Sequence, residues 1–468
     1  PEEDPSWSLE DARNSAIVYK PSTIANASGP HVSDPRSGEI IESHINWYHN
    51  VMSLVHNWYF VQCSPVDPLA RSMTFPSELM GQLVRFVSSH EVGHTLGLRH
   101  NFGATSYYTT EQLRDPEFLR ANGHTASIMD YSRFNFVVQP EDNVSRELLF
   151  PRLSHYDNWA IEWGYRRLYQ FADVQEEIPY LNQWVIEKTK DPYLRFNGGS
   201  ESGLNDPRAQ SEDLGDNQME TCELGIRNLK VIMQNLPEWT KVPNENYRGL
   251  STLYPQITSQ FSRYIGHVSK WVAGVYVDAK TVEQEGPIYV NVSKNKQKEA
   301  MAFLERHIFT TPLWLLPDYL SELLPSSRLS IMENLQNSAI TGLVNENVLV
   351  RMLRAEEQLG PAAYSAEEFF KDMNRYVFGD YGQTDIYCRS LQNIYVNTLC
   401  KMITPEKPSD SATTVAMMRR MSVSIENNDV KALVAAELET IAKKLKRGRG
   451  DDRTRAHYNY LIKTIENL

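Results

Sequence analysis

The chain has 468 residues, of which 41% are hydrophobic and 23% charged, and its formal net charge is −12. That is the composition of a folded chain of two or three domains with a sizeable core. The negative balance argues against nucleic acid or an anionic membrane as the main partner. No run of 18 apolar residues occurs, so no transmembrane segment is predicted. Cys63, Cys222, Cys388 and Cys400 form no CxxC, which removes a zinc ribbon and a thioredoxin-like site. Cys388 and Cys400 leave a disulfide open, with buried free thiols the plainer reading. The chain opens on Pro1 without a signal peptide and reads as a piece of something longer.

Residues 1–15 are acidic and polar, with a short helix expected from Leu9. A strand is predicted over 16–19, ended by Pro21. Residues 29–38 read as loop, and 39–45 as a second strand. A helix with an aromatic and aliphatic face covers 50–61. His44, His49 and His56 match no ligand spacing and read as ordinary core or surface histidines. Pro76 and Ser77 start the next helix, with Ser77 as its expected N-cap. On that helix Leu83, Val87, His90, Glu91 and His94 share a face, so ligand-type side chains stand on a stripe rooted in the core.

This helix carries the most informative stretch, HEVGHTLGLRH over 90–100. Two histidines four apart reach the same point in space, and Glu91 leans over it. Gly97 can take positive φ without a steric penalty, so the chain turns there and returns His100 as a third nitrogen. Three protein ligands leave one position open, the pattern of a catalytic zinc site. A bare HExxH often marks only a solvated helix face. The full HExxHxxGxxH is expected by chance on the order of 1 in 10,000 chains or fewer, and this decides for metal.

At these residues the chain resembles the metzincin clan of zinc endopeptidases. Ser127-Ile128-Met129-Asp130-Tyr131 resembles the clan's Met-turn, whose methionine lies beneath the zinc site. Leu153-Ser154-His155-Tyr156-Asp157 resembles the start of the helix that follows, and Ser154 and Asp157 form a capping box on their own evidence. The likeness covers about 16–168. HEVGHTLGLRHNF and the upstream GPHVSDPRSGEI look most like the large bacterial zinc-dependent metalloproteases. The resemblance implies one catalytic Zn2+ on His90, His94 and His100, with Glu91 and Tyr131 catalytic. It makes the strand over 39–45 a candidate edge along which an extended substrate pairs; an ordinary internal strand is the equal alternative. It places Phe134-Asn135-Phe136 at a specificity pocket wall. His124, just before the Met-turn, reads as structural. Because a sheet and a backing helix precede the zinc helix in this clan, part of that lobe is expected upstream. The same likeness implies a secreted, periplasmic or cell-surface protein.

Beyond about 170 helical periodicity dominates. Helices are predicted over 174–190, 219–236, 247–272, 296–309, 315–324, 326–335, 348–358, 366–378, 386–402, 411–425, 429–446 and 454–468. Strands over 271–277 and 287–292 make one β-hairpin. The Gly-, Asp- and Ser-rich stretch 197–216 fits no EF-hand spacing and reads as a solvated loop. The expected fold is therefore α+β: a metzincin-like zinc protease domain over 1–168 with zinc helix, Met-turn and small sheet, then a mainly helical domain over 169–468.

The chemistry implied is hydrolysis of a peptide bond in a protein or peptide substrate. Glu91 would act as general base and Tyr131 as oxyanion donor. Two other readings stay open. One is a catalytically inactive zinc-binding protein that recognises a partner; Glu91 and Tyr131 speak against it. The other is a zinc aminopeptidase with a glutamate third ligand; Gly97 and His100 speak against that. The oligomeric state is not encoded in any motif.

Overall fold

The structure, a computed structural model, describes residues 5–202, 205–325, 327–404 and 425–468. Its fold is α+β: a small sheet, long helices and irregular connections. The chain divides into two compact units. The first holds Pro1–Tyr264 and Val277–Ile288; the second holds Ile265–Tyr276 and Tyr289–Leu468. Residues 169–264 thus belong to the first compact unit, although the sequence pattern changes near 168.

In the first unit, β1 (Ala16–Lys20) pairs parallel with β4 (Ile40–Tyr48). On the other edge of β4 lie β2 (Ala27–Ser28) and β3 (His31–Ser33), both antiparallel to it. The strand predicted over 39–45 is therefore central, not the edge. Alternating side chains mark a strand but not its neighbours. The outer strands on the β2/β3 side are supplied by 27–33, which overlaps the stretch 29–38 that the sequence reads as loop because of its glycines and prolines. No helix forms from Leu9; the segment is a set of turns.

Helix α1 (Val51–Cys63) follows β4 and packs against α2 (Ser77–Thr95). Pro76 rather than Ser77 occupies the N-cap, its fixed ring starting the helix with Glu78 in the first turn. Leu79, Leu83, Phe86 and Val87 bury one stripe of α2. Phe134 closes this core, edge-on to Tyr59 at 4.9 Å and to Phe86 at 5.6 Å. Phe134 and Phe136 are 0% and 1% exposed, and Asn135 is equally buried. The three are core residues and build no open pocket wall. A 3-10 turn at Gln112–Arg114 is followed by α3 (Pro116–Asn122), which Asp115 caps and Pro116 starts. Then come α4 (His155–Tyr165), α5 (Val174–Lys188), α6 (Gln218–Trp239) and α7 (Arg248–Ser269).

The acidic stretch 197–216 is not solvated. Asp206, Glu212 and Asp213 are each at most 3% exposed. Arg208 meets Asp206 at 2.7 Å, and Arg133 and Arg263 both pair with Glu212. Buried carboxylates survive because cations neutralise them.

The second unit is helical: α8 (Lys294–Leu304), α9 (Tyr319–Leu323), α10 (Arg328–Leu343), α11 (Glu346–Leu359), α12 (Ala366–Phe378), α13 (Ile386–Ile403), α14 (Ile425–Leu445) and α15 (Asp452–Glu466). One hairpin, β5 (Val275–Val277) with β6 (Tyr289–Asn291), is shorter than the sequence predicts. The helix predicted over 411–425 lies outside the described residues up to its last position. Cys388 and Cys400 are free thiols. Among the described residues no helix is long and apolar enough to cross a membrane.

Candidate active site

The last turn of α2 sets the site. It ends in two backbone bonds of a Schellman closure, Leu98 N–H to the Gly93 carbonyl at 3.0 Å and Gly97 N–H to that of His94 at 2.9 Å. Gly97 has φ +84, the left-handed conformation the spacing predicts. The reversal brings His100 back over the helix. Its Nε2 comes to 3.2 Å from that of His90 and 3.1 Å from that of His94. Among the described residues, these three form the only group of metal-type side chains whose ligand atoms gather within 4.8 Å.

Each imidazole has its other nitrogen committed. His90 Nδ1 faces the Ile128 carbonyl at 2.8 Å, His94 Nδ1 that of Leu98 at 2.9 Å, and His100 Nδ1 the Glu201 carboxylate at 2.7 Å. An acceptor at Nδ1 keeps the proton there, so three Nε2 lone pairs point at one another. That arrangement repels itself unless a cation sits between them. Burial also holds His90 down at about 3, the neighbouring histidines adding to it against the Ile128 carbonyl, and lowers His94 for the same first reason. Neutral imidazoles are what a metal requires. Tetrahedral zinc ligands at about 2.0–2.1 Å stand about 3.3 Å apart, close to the separations here. The residues present fit a zinc ion.

Glu91 is 6% exposed. Burial pushes its carboxyl up to about 7, against the backbone amide of Gly29, which donates to it and pulls it down. The contact is tight: a β-carbon on Gly29 would lie 2.3 Å from the Glu91 carbonyl oxygen. The β2–β3 segment is thereby laid directly on α2 beside Glu91.

The Met-turn lies beneath. Met129 is fully buried and its backbone carbonyl takes the Asn101 amide at 3.1 Å. Asp157 holds the turn from α4: its two oxygens accept from Ser127 Oγ at 2.7 Å and Ile128 N–H at 2.9 Å, while Ser154 N–H completes the predicted capping box. The Tyr131 ring stands 4.4 Å from that of His100 and 5.0 Å from that of His90. Burial first, then Glu91 and Glu201, push its phenol up to about 12, so it keeps its proton at neutral pH. Phe102 stacks on His100 at 5.2 Å. His124 is buried and bonds the Arg133 carbonyl at 3.1 Å, a structural position. Glu201 has no signal in the sequence; it lies 101 residues beyond His100, in the single 3-10 turn Gly199–Ser202.

No curated protein and no solved structure matches the chain. A family model described as Met-zincin matches residues 72–385, a span that runs from before α2 past the Met-turn and into the second unit. With well over half of its length inside that match, the chain belongs to the Met-zincin family and is a metzincin-type zinc metallopeptidase.

Proposed function

We propose that the chain is an endopeptidase with His90, His94 and His100 as zinc ligands, Glu91 as general base and Tyr131 as oxyanion donor. The observation that carries the reading is the convergence of three committed imidazoles beside one buried carboxyl on the same helix. Zinc, when bound, supplies a Lewis acid and an acidified water. Glu91 takes the proton of the attacking water and passes it to the leaving amine. A carboxyl near neutrality suits both transfers, because it holds and releases a proton at the working pH. Tyr131, protonated, donates to the oxygen on which charge develops. Asp157 keeps the Met-turn, and with it the Ile128 carbonyl on His90, at a fixed height.

An extended substrate would pair along the outer edge of 27–33, the segment that touches α2 at Glu91. His31 Nδ1 meets the His94 carbonyl there at 2.9 Å. The aminopeptidase reading needs a glutamate third ligand, whereas the gathered set uses His100. Cleavage of a mixed peptide library, read by mass spectrometry, tests the proposal. Internal cuts are expected. Trimming from amino termini would favour the aminopeptidase, and zinc binding without cleavage the partner-binding protein.

A further inference from the structure

His90 and His94 lean on backbone carbonyls that come with the zinc helix and the Met-turn. His100 is different: its Nδ1 faces a carboxylate, that of Glu201, at 2.7 Å. The geometry points to Glu201 as a positioning residue for the third zinc ligand, delivered by a loop built to hold it there. This inference rests on the zinc-centre reading above.

The loop is anchored to the residue next to His100. Asn101 is fully buried, donates through Nδ2 to the Arg195 carbonyl at 3.0 Å and accepts the Asn197 amide on Oδ1 at 2.8 Å. The Asn197 carbonyl takes the Gly103 amide at 3.0 Å, and its side-chain oxygen takes that of Gly199, also at 3.0 Å. Its Nδ2 reaches buried Asp206 at 3.2 Å. Two glycines permit this closeness. A β-carbon on Gly103 would stand 2.8 Å from Asn197 Cβ, and one on Gly199, which has φ +51, 2.4 Å from the Ala209 carbonyl oxygen. Two asparagines thus lock 195–199 to 101–103, and Glu201 projects from the end of the locked stretch.

A carboxylate does what a carbonyl does and adds charge. It fixes the tautomer and the ring plane, and its negative charge polarises the imidazole toward the metal side. Phe102 stacks on the His100 ring at 5.2 Å and further restricts it. The Glu201 side chain is 43% exposed, so the contact is an addition to the fold and not part of its core.

The test uses the full chain, zinc in competition with a chromophoric chelator, and the visible spectrum of the cobalt(II)-loaded protein. Glu201→Ala is expected to weaken zinc binding about 10- to 100-fold. Glu201→Gln keeps an acceptor without charge and should lose less. The cobalt bands should shift in Glu201→Ala, while both metal-free variants melt with the metal-free wild type. Wild-type affinity and an unshifted cobalt spectrum in Glu201→Ala would overturn the inference. So would a large drop in metal-free stability in both variants, since the contact would then be holding the fold. Wild-type zinc affinity in His94→Ala would instead sink the zinc centre itself, and this inference with it.

Discussion

The sulfur of Met129 occupies the space beside Gly93 that a β-carbon would fill; one built on Gly93 would lie 2.2 Å from Sδ. Gly93 stands between His90 and His94 on α2, so the glycine of HExGH is where the Met-turn seats. Gly93→Ala should destabilise the chain by about 1–3 kcal/mol, the usual effect of overpacking, because fully buried Met129 cannot swing away. Adding Met129→Ala should recover part of that loss. Denaturant unfolding of both single variants and the double variant checks this; strict additivity would contradict the contact.

Asp157 serves two elements with one carboxylate, capping α4 at Ser154 and holding Ser127 and Ile128 of the Met-turn. Asp157→Ala leaves two backbone amides and a buried hydroxyl without their acceptor and should lower stability by about 2–4 kcal/mol. Zinc affinity should fall with it, since the Ile128 carbonyl is what His90 leans on. Equal zinc affinity in the variant, by chelator competition, would uncouple α4 from the site.

Local spacing made much of this legible. The histidine trio, Gly97 and the Ser154/Asp157 box each depend on residues a few positions apart, and their geometry follows from helix and turn rules; Met129 was legible only through the likeness to the clan's Met-turn. What failed was non-local. The strand over 39–45 was visible by its alternation, but its neighbours depend on chain that Gly29 and Pro30 disguise as loop. The likeness to the clan places Phe134 and Phe136 at a pocket wall, but their burial at 0% and 1% exposure makes them core residues. The acidic stretch 197–216 looked solvated by composition; Arg133, Arg208 and Arg263 neutralise it from positions no periodicity connects. Glu201 was hidden for the same reason.

In the second unit a buried carboxylate makes stability depend on pH. Glu437 is 7% exposed, accepts from Asn374 Nδ2 at 3.0 Å, and burial pushes it up to about 7. An acid raised in the folded state is stabilising while protonated. That contribution is full below its ordinary value near 4.5 and is lost as pH rises through about 7. Glu437→Gln should therefore match the wild type at pH 4 and exceed it at pH 8 by up to roughly 3 kcal/mol. Thermal melts at the two pH values check the sign; a variant less stable at pH 8 would contradict it.

Tyr131→Phe keeps the ring that stacks on His90 and packs tilted against His100, and deletes only the hydroxyl. A donor that meets charge only in the transition state should cost about 100-fold in kcat with little change in KM. Steady-state kinetics on one internally cleaved peptide reads this directly, and a wild-type kcat would remove Tyr131 from the mechanism.

On the proposed mechanism Glu91 moves the proton while three histidines hold the metal. Glu91→Gln keeps the shape and the contact with Gly29 but cannot accept a proton. The decisive measurement is zinc content together with internal peptide cleavage for this variant and the wild type, side by side. Zinc should remain at one ion per chain in both, while cleavage falls by about 100- to 10,000-fold in Glu91→Gln. Cleavage at the wild-type rate by a zinc-loaded Glu91→Gln chain would contradict the account.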